Sequence, residues 1–279
     1  MFRVFILFGF GFYLMQLHIS GDISKYINMK YSYLSFSAMI AAFLLALVQL
    51  IMVFRDEDLG AKTEHLGHTH EGENTFWKKI LVYGLLSYAL IAGFMFPVAT
   101  LDSTIVSAKG FHFPKNNEAG DDPYAANQFL RPDTSGYFGK TDYEKMMEKE
   151  KATIIDQNPI KVTDSNYLMT MEILYNYPGE FAGKQIEFTG FVYNDNVTKD
   201  NNLFLFRFGI IHCVADSGVF GMLVQMPEKT SYSNDTWLSV KGTIAQEYYA
   251  PFKMTIPSVK VDSYKEIGKP KSVYVYRKY

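Results

Sequence analysis

The sequence predicts an N-terminal α-helical membrane region of three spans followed by a C-terminal mainly-β domain, an OB-like barrel with short preceding helices. Three observations carry this. Residues 4–21, 31–54 and 80–101 contain no Asp, Glu, Lys or Arg, and a bilayer core about 30 Å thick needs roughly 20 apolar residues of helix. Beyond residue 183 the apolar positions change from helical spacing to a period of two, as in strands. Residues 102–157 are rich in Gly, Pro, Asn and charge, the composition of a linker. The expected organisation is a membrane region at 1–101, a linker with a short helix at 102–157, and the β domain at 158–279.

The first apolar run follows Arg3 and has the outline of a secretory leader. No small-x-small cleavage site follows it and two further runs do, so it is expected to be retained. Tyr26, Tyr31, Tyr33 and Trp77 cluster at the ends of the runs, where amphipathic rings settle at the headgroup level, so lipid is an expected partner. His18, near an end, is the one ionisable residue inside a run. That pattern does not suit a chain that transports alone. Arg3, Arg55, Lys62, Lys78 and Lys79 on one side slightly outnumber Lys25, Lys30, Lys109 and Lys115 on the other. The positive-inside tendency then puts the N-terminus in the cytoplasm and the β domain outside.

Residues 141–153 read as a charged helix in which Thr141 and Glu144 have the capping-box spacing. Residues 166–175 read as a second helix, amphipathic through Leu168, Met171, Ile173, Leu174 and Tyr175 and stopped by Pro178-Gly179. Strands are expected at 185–193, 203–213, 219–226, 237–246 and 258–267. Five strands with glycine inside the first (Gly190) and the fourth (Gly242) favour the OB-like barrel over a sandwich, because glycine permits sharp coiling.

The formal charge of −2 offers no basic field for phosphates, so nucleic acid is excluded as a partner. A lone cysteine, Cys213, leaves no intrachain disulfide and no CxxC site. There is no Walker loop, GxSxG elbow, HExxH or paired-carboxylate helix, and no enzyme is expected. Two clusters carry chemistry. His65, His68, His70 and Glu71 place three imidazoles and a carboxylate within seven residues, a tract able to wrap zinc or another divalent metal weakly; a solvated loop is the bland alternative. Arg207, His212, Cys213 and Asp216 gather at the end of an expected strand as ligand-site candidates, against a structural corner in which Asp216 caps the turn. Adjacent strand residues face opposite ways, so His212 and Cys213 share a ligand only across a bulge or turn. Arg207 on a half-buried strand calls for a carboxylate partner. Tyr248, Tyr249 and Phe252 are expected in the loop before the last strand, for stacking or for packing.

The phrases Leu101-Asp102-Ser103, Lys109-Gly110-Phe111, Gly183-Lys184, Phe188-Thr189-Gly190-Phe191-Val192-Tyr193 and Arg207-Phe208 leading to Cys213 and Ala215-Asp216 together resemble the YcgQ-like membrane proteins. The resemblance covers nearly the whole chain. It implies a multi-pass protein of a bacterial plasma membrane of Gram-positive type, the second component of a two-part permease, with a many-span permease encoded nearby as partner. Adjacent cysteines typical of that group are His212-Cys213 here, which removes a vicinal dithiol and leaves metal binding open. The function expected is an accessory permease subunit whose outer domain binds or presents ligand; the alternative is a divalent-metal binding protein in metal homeostasis.

Overall fold

The structure, a computed structural model, describes residues 2–59, 76–98, 100–111, 140–195 and 201–277. The chain divides into two units, Met1–Ala99 and Thr100–Tyr279, each with its own packing logic.

The first unit holds α1 (Phe2–Ser20), α2 (Ser32–Leu59) and α3 (Phe76–Met95). Among the described residues two helices are long and apolar enough to cross a membrane, over Phe2–Ser20 and Met29–Arg55, while the third apolar stretch, Ile80–Met95, is shorter. The run expected to continue to residue 101 leaves the helix at Met95, because Pro97 disfavours helical backbone in the residue before it. Glycines let α1 approach its neighbours. A Cβ on Gly9 would lie 2.9 Å from Leu90, one on Gly93 2.9 Å from Tyr13, and one on Gly11 3.0 Å from Phe43. His18 Nε2 meets Ser35 Oγ at 2.9 Å, tying α1 to α2. Most other apolar side chains of the unit point outward, with Leu44, Leu85 and Tyr88 well over half exposed.

In the second unit the principal strands are β2 (Gln185–Tyr193), β3 (Asn202–Ile210), β4 (Gly218–Gln225), β5 (Trp237–Tyr249) and β6 (Met254–Ile267). The two-residue strands β1 (Ile160–Lys161) and β7 (Val275–Tyr276) add to them. The sheet runs β1-β2-β5-β6-β4-β3-β7. All principal pairings are antiparallel except β4 with β6, which is parallel. β3 also pairs back to β2 through Phe191 opposite Phe206, Val192 opposite Leu205 and Tyr193 opposite Phe204. The hydrogen bonding therefore passes round five strands and returns to its start. Glycine is required where these strands close on one another. At Gly242, beside a bulge, a Cβ would sit 2.1 Å from the Lys260 carbonyl oxygen, and at Gly190 3.0 Å from that of Phe206.

Six short helices or helical turns accompany the sheet among the described residues: α4 (Ser103–Lys109), α5 (Lys140–Ile154), α6 (Tyr167–Asn176), α7 (Pro178–Phe181) and 3-10 turns at Val214–Asp216 and Ala250–Phe252. Residues 167, 168 and 170–175 of α6 are all buried, a helix covered on nearly every face rather than one side. β3 is buried at every position from Leu203 to Ile210. Residues of the stretch expected as linker enter this core: Val106, Phe111, Met147 and Ile154. The Phe111 ring meets Phe204 at 4.8 Å and Phe206 at 4.9 Å, edge on. β5 and β6 reach further than the sequence period indicates, pairing Tyr248 with Thr255 and Tyr249 with Met254. Tyr248 and Tyr249 are thus strand residues, as aromatic and β-branched partners favour.

Candidate functional site

Phe191, Trp237 and Ile267 are register partners on three neighbouring strands. They line a cavity of about 460 Å³, completed by Thr100–Asp102, the turn at 233–236, Glu266, Lys269 and Val273. The walls are fixed by polar stitches. Asp235, whose φ of 66° is left-handed, accepts hydrogen bonds from Ser103 N (2.9 Å) and Ser103 Oγ (2.6 Å); Asp is among the few side chains that take this backbone readily. Asp102 caps α4 through Oδ1, which accepts from Thr104 N at 3.0 Å and Thr104 Oγ1 at 2.5 Å. Leu101 N donates to Tyr274 Oη at 2.6 Å. Burial pushes the Tyr274 phenol up, against the lowering effect of that bond.

Arg207 lies behind the cavity wall. Its guanidinium is 5.6 Å from the Trp237 ring centroid and 5.4 Å from that of Tyr167, within cation–π range. The side chain is 1% exposed, pairs with Asp164 and donates to the Ser272 carbonyl at 2.7 Å. Asp164 is the carboxylate partner the strand position called for. Arg207 Nε and the Tyr167 hydroxyl are buried without a hydrogen-bond partner among the described residues. Burial drives the Tyr167 phenol far above its ordinary range. A second buried pair has no forewarning in the sequence: Arg277 Nη1 donates to both oxygens of Glu172 at 2.9 and 3.0 Å, the two side chains only 2% and 1% exposed.

Three of the four candidate residues at the end of β3 do come together. The Asp216 carboxylate accepts from the backbone N–H of His212 and of Cys213 at 3.0 Å, and its Oδ2 is 2.8 Å from His212 Nδ1. This fixes the corner and its short turn, Val214–Asp216. Arg207 bonds elsewhere. Among the described residues no three His, Cys, Asp or Glu side chains are disposed to hold a metal ion; His65, His68, His70 and Glu71 lie outside the described residues. Tyr249 bonds Asp195 and packs edge on to Phe204 and Phe252, while Tyr248 is 63% exposed.

The cavity itself escaped the sequence reading, because nothing in spacing brings 100–103, 233–237 and 266–273 together. The one available signal was Leu101-Asp102-Ser103, noted for its resemblance and not for a role.

A family model described as DUF1980 N-terminal domain matches residues 2–112, and one described as DUF1980 C-terminal domain matches residues 137–277. The chain is 46% identical over 288 residues to UPF0703 protein YcgQ of Bacillus subtilis, covering 99% of each. It is 39% identical over 281 residues, again 99% of each, to a Streptococcus mutans protein named "Putative two-component membrane permease complex subunit".

Proposed function

We propose, from the premise that this chain belongs to the YcgQ-like DUF1980 family, that it is the membrane-anchored accessory subunit of a two-component permease. The observation that carries this reading is the end-to-end match to the Streptococcus relative of that name. In the finer reading α3 is a third crossing and the second unit is an OB-like barrel outside the plasma membrane. The circuit of five paired strands, with its one parallel contact between β4 and β6, supports the barrel. The cavity beside Trp237 is where the domain binds or presents ligand. This reading is of binding and not catalysis: Asp216, besides meeting His212 Nδ1, accepts from two backbone N–H groups and so holds a structural corner.

The reading requires a many-span permease partner encoded nearby, and co-expression with that candidate tests it. An affinity tag on this chain is expected to recover both proteins in mild detergent. Gly84, where an added Cβ meets nothing within 4 Å, offers the bundle a close-approach point of the kind used between helices in lipid. Gly84→Leu should lower partner recovery without disturbing the chain's own helices. A chain that always purifies alone contradicts the proposal.

The alternative, divalent-metal binding through His65, His68, His70 and Glu71, is favoured by their spacing alone. Calorimetry with zinc on the full chain and on the His65→Ala/His68→Ala/His70→Ala variant decides it; equal heats sink the idea.

A further inference from the structure

The outer face of α3 has the chemistry of a helix interface. We infer that a membrane-spanning helix of the permease partner packs along it and meets the Tyr88 hydroxyl with a hydrogen-bond acceptor; the inference rests on the subunit reading above, with α3 as a third crossing. Tyr83, Leu90, Gly93 and Phe94 turn α3 toward α1, where they meet Arg3, Gly9 and Tyr13. The opposite face carries Leu81, Leu85, Tyr88, Ala92 and Met95, spaced by four and three residues in alternation, the period of a helix–helix seam. Leu81, Leu85, Tyr88 and Met95 are 66–75% exposed, more than any other large apolar side chain described in α3. α2 lies elsewhere, against Gly11 and His18 of α1.

The depth of Tyr88 separates a protein partner from lipid. α3 runs parallel to α1, because the contacts between them advance together, from Arg3 with Tyr83 through Gly9 with Leu90 to Tyr13 with Gly93. The offset is 80 residues at Arg3 and Tyr83, so Tyr88 stands level with Phe8. The Phe8 ring meets Phe43 at 5.3 Å, and Phe43 occupies the middle of the span Met29–Arg55. Tyr88 is thus at mid-bilayer depth, about 15 Å from either edge of a core roughly 30 Å thick, too far for one phenol to reach the headgroups. Its hydroxyl makes no hydrogen bond among the described residues, and a hydroxyl left so in hydrocarbon is costly. Lipid tails offer no acceptor. A polar side chain on a facing helix does, in the manner that joins helices within membranes, and one polar group in an apolar seam also fixes the register. Gly84, one turn before Tyr88, has nothing within 4 Å of an added Cβ and leaves room for the approach.

Co-expression of the full chain with the permease encoded nearby, read by tag recovery in mild detergent and by photo-crosslinking in membranes, tests this. Tyr88→Phe removes one hydroxyl from an outward ring and leaves the contacts with α1 intact. Partner recovery should fall about threefold, the worth of one hydrogen bond between helices in lipid. Leu85→benzoylphenylalanine and Met95→benzoylphenylalanine should each crosslink to the partner, and Leu44→benzoylphenylalanine, on the outward side of α2, should not. Unchanged recovery with Tyr88→Phe, no crosslink from either α3 position, crosslinks only to a second copy of this chain, or crosslinks to the partner from Leu44 alone each overturn the inference. If the unaltered chain recovers the partner and any of those results appears, the subunit reading stands and this face is not the interface. A chain that never recovers the partner ends both.

Discussion

The two units use the same apolar residues in opposite senses. In the helical unit Leu44, Leu85 and Phe5 are 58%, 66% and 71% exposed, whereas in the β unit Phe204, Leu205 and Phe208 are fully buried. Apolar side chains facing outward along helices long enough to cross a bilayer are favoured by an apolar medium outside, since exposure to water forgoes about 25 cal/mol per Å². The contrast teaches that the chain is built for two solvents. Hydrophobic transfer drives packing in the second unit, while close backbone contact at Gly9, Gly11 and Gly93 does so in the first.

The largest expected effect lies in the β unit. Glu172→Ala strands the Arg277 guanidinium in the core and should cost about 3–5 kcal/mol. Denaturant unfolding of the full chain should show the Trp237 transition moving while the helical signal of the bundle holds. A shift of both together would break the division into independent units. Next comes Leu44→Asp, near the middle of the Met29–Arg55 helix, which on an insertion scale costs about 3 kcal/mol at a mid-span position and should reduce the membrane-inserted fraction. Tyr248→Asp, at the comparable exposure of 63%, should leave that fraction unchanged. Gly242→Ala drives a Cβ against the Lys260 carbonyl and should lower the stability of the β unit by about 2 kcal/mol with no change in insertion.

The smallest effects separate two buried tyrosines. Tyr175 Oη donates to Gly221 O at 2.6 Å and accepts from Gly221 N at 2.7 Å, so Tyr175→Phe should destabilise by about 1–3 kcal/mol. Tyr167→Phe removes a hydroxyl without a partner among the described residues and should be neutral or stabilising by about 1 kcal/mol. Burial raises the Tyr167 phenol above its unfolded value. The phenol therefore costs nothing further below pH ~10, its ordinary value, and lowers stability as pH rises above it, where the unfolded chain sheds a proton the native one keeps. Thermal melts between pH 8 and 11 should fall less steeply for Tyr167→Phe.

What could be read in advance follows the reach of each signal. Periodicity is local, and it located α6 and placed β2 at 185–193. It missed β1 and β7, two residues each, because strands that short have no period and exist through parallel pairing to β2 and β3. Composition found the apolar runs but placed residues 96–101 with the third, although Pro97 ends the helix there and Leu101 packs with the β unit. At the site, the need of a buried Arg207 for a carboxylate was legible; that the carboxylate would be Asp164, or that Glu172 would meet Arg277 across 105 residues, was not. The cavity depends on three separate segments converging, which only the folded chain supplies.

The two-solvent claim is tested most directly by cysteines placed at two outward positions, Ser231→Cys in the β unit and Leu44→Cys in α2, each in a Cys213→Ser background. Open membranes from lysed cells would be treated with a membrane-impermeant maleimide, which needs a thiolate in water. Ser231→Cys is expected to label within minutes and Leu44→Cys only after detergent is added. Labelling of Leu44→Cys as fast as Ser231→Cys, or of Ser231→Cys only after detergent is added, would contradict the account.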